Sequence, residues 1–151
     1  MKKKTANYMQ NKDISIPFID LSAQQNRLCD KINDSISTVL THGKYIMGPE
    51  VNKLEEKLKI YTNSDFVITC ASGTDALLLA LMAKGIGKGD IVFCPAFTFP
   101  ATAEVIALLG ATPYFVDVDP KNFNICTKHL LKSIELVRKE KKYQIKSIIA
   151  V

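Results

Sequence analysis

The chain has 151 residues, 47% of them hydrophobic and 23% charged, with a net charge of +5. That length suits one ordinary core, and the composition is that of a globular rather than a disordered protein. No apolar run approaches a membrane span. The basic surplus includes seven Lys or Arg between Lys128 and Lys146, a weaker bias than the strongly basic, aromatic-interleaved surface of a nucleic-acid protein. It reads as a solvated face that slightly favours anionic small substrates.

In chain order, residues 1–15 are polar and are expected to form a flexible arm. Met1–Lys4 is basic, but polar residues follow, so this is not a signal peptide. Ile16–Leu21 is a short extended lead-in. Ser22 and Gln25 have the spacing of a capping box, and Leu28, Ile32, Ile36, Val39 and Leu40 recur at helical spacing until Gly43 stops the helix. A loop, Lys44–Gly48, precedes Pro49, which suits the first position of a second helix with Val51, Leu54, Leu58 and Tyr61 on one stripe.

From Phe66 onward, strand and helix alternate. The spacing predicts a buried strand at Phe66–Cys70, a helix at Thr74–Lys84, a turn at Gly85–Asp90 and a strand at Ile91–Cys94. A loop at Pro95–Phe99 leads to a helix at Ala101–Leu109, ended by Gly110. Then come a strand at Thr112–Val116 and a turn at Asp117–Pro120. Thr127 is expected to cap a helix with Leu130, Leu131, Ile134 and Val137 inward, and Ile145–Val151 is a last strand. Successive β-α units imply an α/β fold of three layers, αβα, with a largely parallel sheet. The chain stops inside its last apolar run, so it is expected to be the front part of a longer protein.

Four cysteines, Cys29, Cys70, Cys94 and Cys126, are widely spaced, with no C-x-x-C. His42 and His129 stand alone, so no metal-site pattern exists. Cys70 and Cys94 lie in apolar runs and are expected to be buried, reduced thiols, which fits the cytoplasm.

Two stretches carry candidate chemistry. Ser72-Gly73-Thr74 sits where a predicted strand turns into a helix. Free backbone N–H groups and the positive end of the helix dipole meet there, and both suit a phosphate. The alternative is plain helix capping, with Ser72 as N-cap and Asp75 in the capping-box place. Pro95-Ala96-Phe97-Thr98-Phe99-Pro100 also lies between a strand end and a helix start, where open α/β sheets bind ligands. An aromatic ring near a phosphate anchor suits a flat, phosphorylated heteroaromatic cofactor. The alternative there is that Phe97 and Phe99 both belong to the core.

Five motifs in register resemble one family: Gly43-Lys44-Tyr45-Ile46-Met47-Gly48-Pro49-Glu50-Val51, Ser72-Gly73-Thr74-Asp75-Ala76-Leu77, Gly85-Ile86-Gly87-Lys88-Gly89-Asp90, Pro95-Ala96-Phe97-Thr98-Phe99-Pro100-Ala101-Thr102-Ala103 and Phe115-Val116-Asp117-Val118-Asp119-Pro120. Together they resemble the DegT/DnrJ/EryC1/StrS sugar aminotransferases, over a stretch from about Ile16 to the last residue. The resemblance implies a fold-type I, pyridoxal-phosphate (PLP) enzyme, with residues 16–151 as the truncated N-terminal part of its large domain. It implies that Ser72, Gly73 and Thr74 hold the PLP phosphate and that Phe99 stacks on the pyridine ring. Lys44–Gly48 matches a loop near the sugar site, and Asp117 and Asp119 read as structural.

The resemblance further implies a transaminase acting on a keto group of a nucleotide-linked sugar, closest to members acting on 3-keto sugars. Glutamate is the implied amino donor, and the intact enzyme is a cytoplasmic homodimer that needs no metal, nucleic acid or membrane. The lysine that anchors PLP and the carboxylate facing the pyridine nitrogen are expected beyond Val151, so no catalytic residue falls within the chain and the fragment alone is expected to be inactive. Two other readings differ in class: a non-catalytic regulatory or binding protein of the same fold, and a dehydratase in which histidine replaces that lysine. A dinucleotide-binding domain is disfavoured because G-x-G-x-x-G is missing.

Overall fold

The computed structural model describes residues 18–151; the predicted arm, 1–15, and the start of the lead-in lie outside the described residues. The chain forms two compact units with the boundary after Val67. No helix among the described residues is long and apolar enough to cross a membrane.

The first unit is a pair of helices, α1 (Leu21–His42) and α2 (Pro49–Thr62). Asp20, not Ser22, caps α1: its Oδ1 accepts the Ala23 N–H at 2.9 Å. A carboxylate at this place also meets the positive end of the helix dipole, which a hydroxyl does not exploit. Gly43 stops α1 in the left-handed region, at φ 66°, and its N–H donates to the Val39 carbonyl; an L side chain resists that conformation. Pro49 is the first residue of α2, as its missing N–H allows. Neither helix buries a residue, and the stripe residues Ile36, Leu40 and Leu54 are about half exposed or more.

The second unit runs α3 (Gly73–Ala83), β1 (Asp90–Pro95), α4 (Ala101–Leu108), β2 (Thr112–Val116), α5 (Thr127–Glu140) and β3 (Gln144–Ile148). The sheet order is β2-β1-β3, and both pairings are parallel. Every residue of the central strand is buried. Alternation along it splits the core into two layers. Val92 and Cys94 pack with Leu81, Val105 and Ile106 of α3 and α4. Ile91 and Phe93 pack with Val116 and with Val137 of α5. The three-layer αβα arrangement expected from the sequence is therefore present. Burial pushes the Cys94 thiol up, so it stays protonated and inert.

Several expectations need correction. Phe66–Cys70 forms no strand: no described strand pairs with it, and Phe66 and Ile68 are 86% and 83% exposed. An apolar β-branched run becomes a strand only when another backbone takes up its N–H and C=O groups. Cys70 is exposed for the same reason. Cys126, not Thr127, is the N-cap residue of α5, and no side chain caps that helix. Leu131 faces outward, while Leu130 and Ile134 are partly buried beside Val137.

The last strand is Gln144–Ile148 rather than Ile145–Val151. Its register slips: Ile91 faces Ile145 but Val92 faces Ser147, so Lys146 is bulged out. Because side chains alternate, that one extra residue swaps faces. Ile145 accordingly packs in the α5 layer and Ile149 in the α3/α4 layer.

Phe93 is fully buried, with its ring 5.0 Å from that of Tyr114, whereas Phe97 is 67% exposed. Phe93→Ala is expected to cost ~3–5 kcal/mol of stability and Phe97→Ala less than about 1 kcal/mol. Urea unfolding of the two variants checks the contrast; equal losses would contradict this division into core and surface.

Candidate cofactor site

The α3 N-terminus is built by Ser72. Its Oγ accepts the Asp75 N–H at 3.1 Å and donates to Asp75 Oδ2 at 3.1 Å, while its carbonyl accepts the Ala76 N–H. The hydroxyl is thus engaged in both directions, as the capping reading requires. The cap leaves the Gly73 and Thr74 amides without an acceptor among the described residues, and these are the donors that a helix start offers to an anion. A Cβ added at Gly73 would meet nothing within 4 Å, so the position opens outward. Capping and anion binding coexist here, but through different atoms: Ser72 holds the helix, and Gly73 and Thr74 face outward. Asp75 sits in the first turn with its carboxylate tied to Ser72.

The chain leaves α3 through a short turn and enters β1. Lys84 ends α3 and Lys88 lies in that turn, about 16 Å of helix away from Ser72 at 1.5 Å per residue. The turn reverses the chain, so the α3 N-terminus lies toward the carboxyl end of the sheet. The loop after β1 leaves from the same end.

That loop is clamped at three points. The Ala96 N–H donates to the Val116 carbonyl at 2.8 Å. The Thr98 and Thr102 hydroxyls are 2.9 Å apart, with Thr102 buried. The Phe99 carbonyl accepts the Thr102 N–H at 3.1 Å. Between the clamps the rings of Phe97 and Phe99 project outward, 67% and 75% exposed, so neither belongs to the core. They line a cleft of about 450 Å³ with Thr98 and Phe123. Asn122, Asn124 and Val151 complete its lining, and none of Ser72, Gly73 and Thr74 belongs to it; each taken by itself, the rings suit a flat group and the α3 amides suit a phosphate. No lysine lines this cleft.

Asp117 and Asp119 serve the backbone. Asp119 Oδ1 accepts the Lys121 N–H and Asp117 Oδ1 the Val118 N–H, both at 2.8 Å. Asp117 Oδ2 also lies 3.8 Å from His129 Nδ1. Phe123 was not singled out in the sequence; the signal available there was an aromatic residue between Asn122 and Asn124.

In the first unit, the Gly43–Gly48 loop is separately built. His42 Nδ1 accepts the Lys44 N–H at 3.0 Å, which leaves Nε2 to donate to Glu50 Oε1 at 3.2 Å. Met47 takes φ 48°, and a Cβ on Gly48 would strike the Lys44 carbonyl oxygen, so only glycine fits there. A backbone hydrogen bond at the start of α2 holds the Glu50 carboxyl below its ordinary value of 4.5, with His42 and Lys53 adding to the effect against partial burial.

Residues 26–151 match the DegT/DnrJ/EryC1/StrS aminotransferase family. The chain is 53% identical over 110 residues to a UDP-2-acetamido-2-deoxy-3-oxo-D-glucuronate aminotransferase of Pseudomonas aeruginosa, covering 73% of this chain and 31% of that protein. It thus spans about a third of the length of such relatives. Among solved structures it is similar to a DegT/DnrJ/EryC1/StrS aminotransferase from Brucella abortus, with TM-score 0.86 and 49% identity over 90% of this chain and 36% of that one. It is also similar to NtdA of Bacillus subtilis, solved with bound cofactor PMP, with TM-score 0.76 and 29% identity over 99% of this chain and 35% of that one.

Two outcomes test the local geometry. Ser72→Ala should lower stability by ~1 kcal/mol, the usual cost of a lost N-cap, read by urea unfolding. Glu50 binds its proton less readily folded than unfolded, so its contribution to stability is complete above the unfolded pKa and is lost as pH falls through the lower folded one. An NMR titration of the Glu50 carboxyl should therefore give a midpoint below 4.5, and Glu50→Gln should flatten the dependence of stability on pH in that acid window; a midpoint at or above the ordinary value contradicts the bond.

Proposed function

The chain belongs to the DegT/DnrJ/EryC1/StrS aminotransferase family, and from that premise we propose that the whole protein is a PLP-dependent transaminase acting on the keto group of a nucleotide-linked sugar. The 53% identity to an enzyme named for a 3-oxo uronate supports a 3-keto sugar as the acceptor and amino-sugar biosynthesis as the setting. Glutamate is the proposed donor, a homodimer the proposed assembly, and the cytoplasm the proposed compartment. In this reading residues 16–151 are the N-terminal part of the large, cofactor-binding domain.

The observation that carries the reading for this chain is the α3 N-terminus, with two outward amides beyond a closed Ser72 cap. These amides hold the cofactor phosphate by charge-assisted hydrogen bonds, reinforced by the helix dipole. Thr74 adds a hydroxyl donor, and Ser72 acts mainly by keeping the helix start in shape. Phe99 lies against the pyridine ring, holds it flat and keeps water from that face. When bound, PLP supplies an electron sink through which an amino group passes from donor to sugar. The chain's own residues bind and orient it. Lys84 and Lys88 lie at the end of α3 remote from these amides, and the proposed anchoring lysine is the one that the family resemblance implies further along the whole protein.

Gly73→Val and Phe99→Ala test the assignment. At Gly73 the added side chain enters open space, so the fold is kept while the phosphate is crowded. PLP should bind at least about tenfold more weakly, the loss of roughly one charge-assisted hydrogen bond. Phe99→Ala should weaken PLP and shift its visible absorption. Both are read by titrating the whole apo protein with PLP; wild-type affinity and spectrum in a folded Gly73→Val variant would refute the phosphate site.

A further inference from the structure

We infer that Phe123 is a positioning residue: its ring braces Phe97 and so fixes the loop that presents Phe99 to the cleft. This rests on the reading of Phe99 given above. Phe123 lies in the excursion between β2 and α5, closed by an antiparallel bridge between Val118 and Ile125. Its backbone is in the left-handed region, at φ 60°. For a bulky L residue that conformation sets Cβ against the following carbonyl and is disfavoured.

The surrounding bonds hold it there. The Phe123 N–H donates to the Asp119 carbonyl at 2.8 Å, the Asn124 carbonyl accepts the Asp119 N–H at 2.8 Å, and the Asn124 N–H donates to Asn122 Oδ1 at 3.0 Å. Glycine or asparagine would take this conformation more readily, and an asparagine stands on either side. Burial does not account for the phenylalanine, which is 58% exposed.

What the strained backbone achieves is the placement of the ring. It lies 5.7 Å from the Phe97 ring, tilted by 45°, within the preferred range for an aromatic pair. The Phe97–Phe99 loop is tied through its backbone and through Thr98, but among the described residues the Phe97 side chain has no other ring against it. Without Phe123, Phe97 is free to change rotamer, and the cleft wall two residues from it is no longer set. Strain held at a cleft by an over-determined turn is where a positioning role is expected.

The test uses the whole protein in its apo form, titrated with PLP. Phe123→Gly removes the ring and relieves the backbone, so the apo protein should melt at or above the wild-type temperature. PLP should nevertheless bind about two- to tenfold more weakly, the equivalent of one lost aromatic pair, with a shifted absorption band. Phe123→Tyr should restore wild-type values. In a Phe97→Ala background, Phe123→Gly should add less than about twofold, because both act through one contact. If Phe123→Gly does not fold, Phe123→Asn, which also tolerates the left-handed region, replaces it. Wild-type PLP affinity and absorption in the ring-less variant, or full additivity with Phe97→Ala, would overturn the inference. If Phe99→Ala weakens PLP while Phe123→Gly does not, the Phe99 assignment stands and only the brace fails; if the wild-type protein takes up no PLP, both fall.

Discussion

The architecture of the second unit depends on one strand. β1 is paired in parallel on both edges and buried on both faces. Its alternating side chains belong to two separate clusters, one under α3 and α4 and one under α5. A strand with no solvent face tolerates no polar side chain without a partner. Asp90, at its first position, meets that condition by accepting the Gly87 N–H at 3.0 Å. Because β1 is fixed on every side, the loop that leaves its carboxyl end starts from a rigid point, and its backbone is set by that scaffold while the Phe97 ring also rests against Phe123.

The α3 N-terminus shows how structure and ligand binding divide a small set of atoms. A helix start has four orphan amides. Here the Ala76 amide makes the first helical bond, to the Ser72 carbonyl, the Asp75 amide is satisfied by the Ser72 hydroxyl, and the Gly73 and Thr74 amides have no acceptor among the described residues. The cap stabilises the helix whether or not an anion is present, so the two remaining donors are pre-oriented and little ordering cost falls on binding. Asp75 moderates the same site: its negative charge in the first turn offsets part of the helix dipole, so affinity for an anion rests on the directed amides more than on net positive charge.

The aromatic cleft carries the opposite balance. Phe97, Phe99 and Phe123 leave much of their apolar surface in water, and Phe123 adds an unfavourable backbone conformation. None of this stabilises the unit by itself. Exposed rings and an unfavourable backbone conformation at one cleft are features that the proposed contact with a flat ring would account for.

Sequence alone determined the elements whose cause is local. Gly43 and Pro49 delimit the first two helices because each has a backbone property that neighbours do not alter, and Ser72 with Asp75 fixes the start of α3 through bonds spanning three residues. Period-2 and helical patterns placed β1, β2 and α4 to within a residue or two, and the order of motifs identified the family. Tertiary structure decided whatever depends on a distant partner. Phe66–Cys70 has the composition of a strand but no ladder to join, and Cys70 is exposed with it. Lys146 bulges because β3 must follow the register of β1, which moves Ile149 to the other face. Leu131 and Leu130 are adjacent leucines that α5 sends in different directions once it lies on the sheet. Phe123 gains its place only when a turn after β2 brings it to a loop after β1. Local backbone preferences are written into neighbouring residues, whereas pairing, register and ring contacts belong to two remote segments at once, and neither segment specifies them by itself.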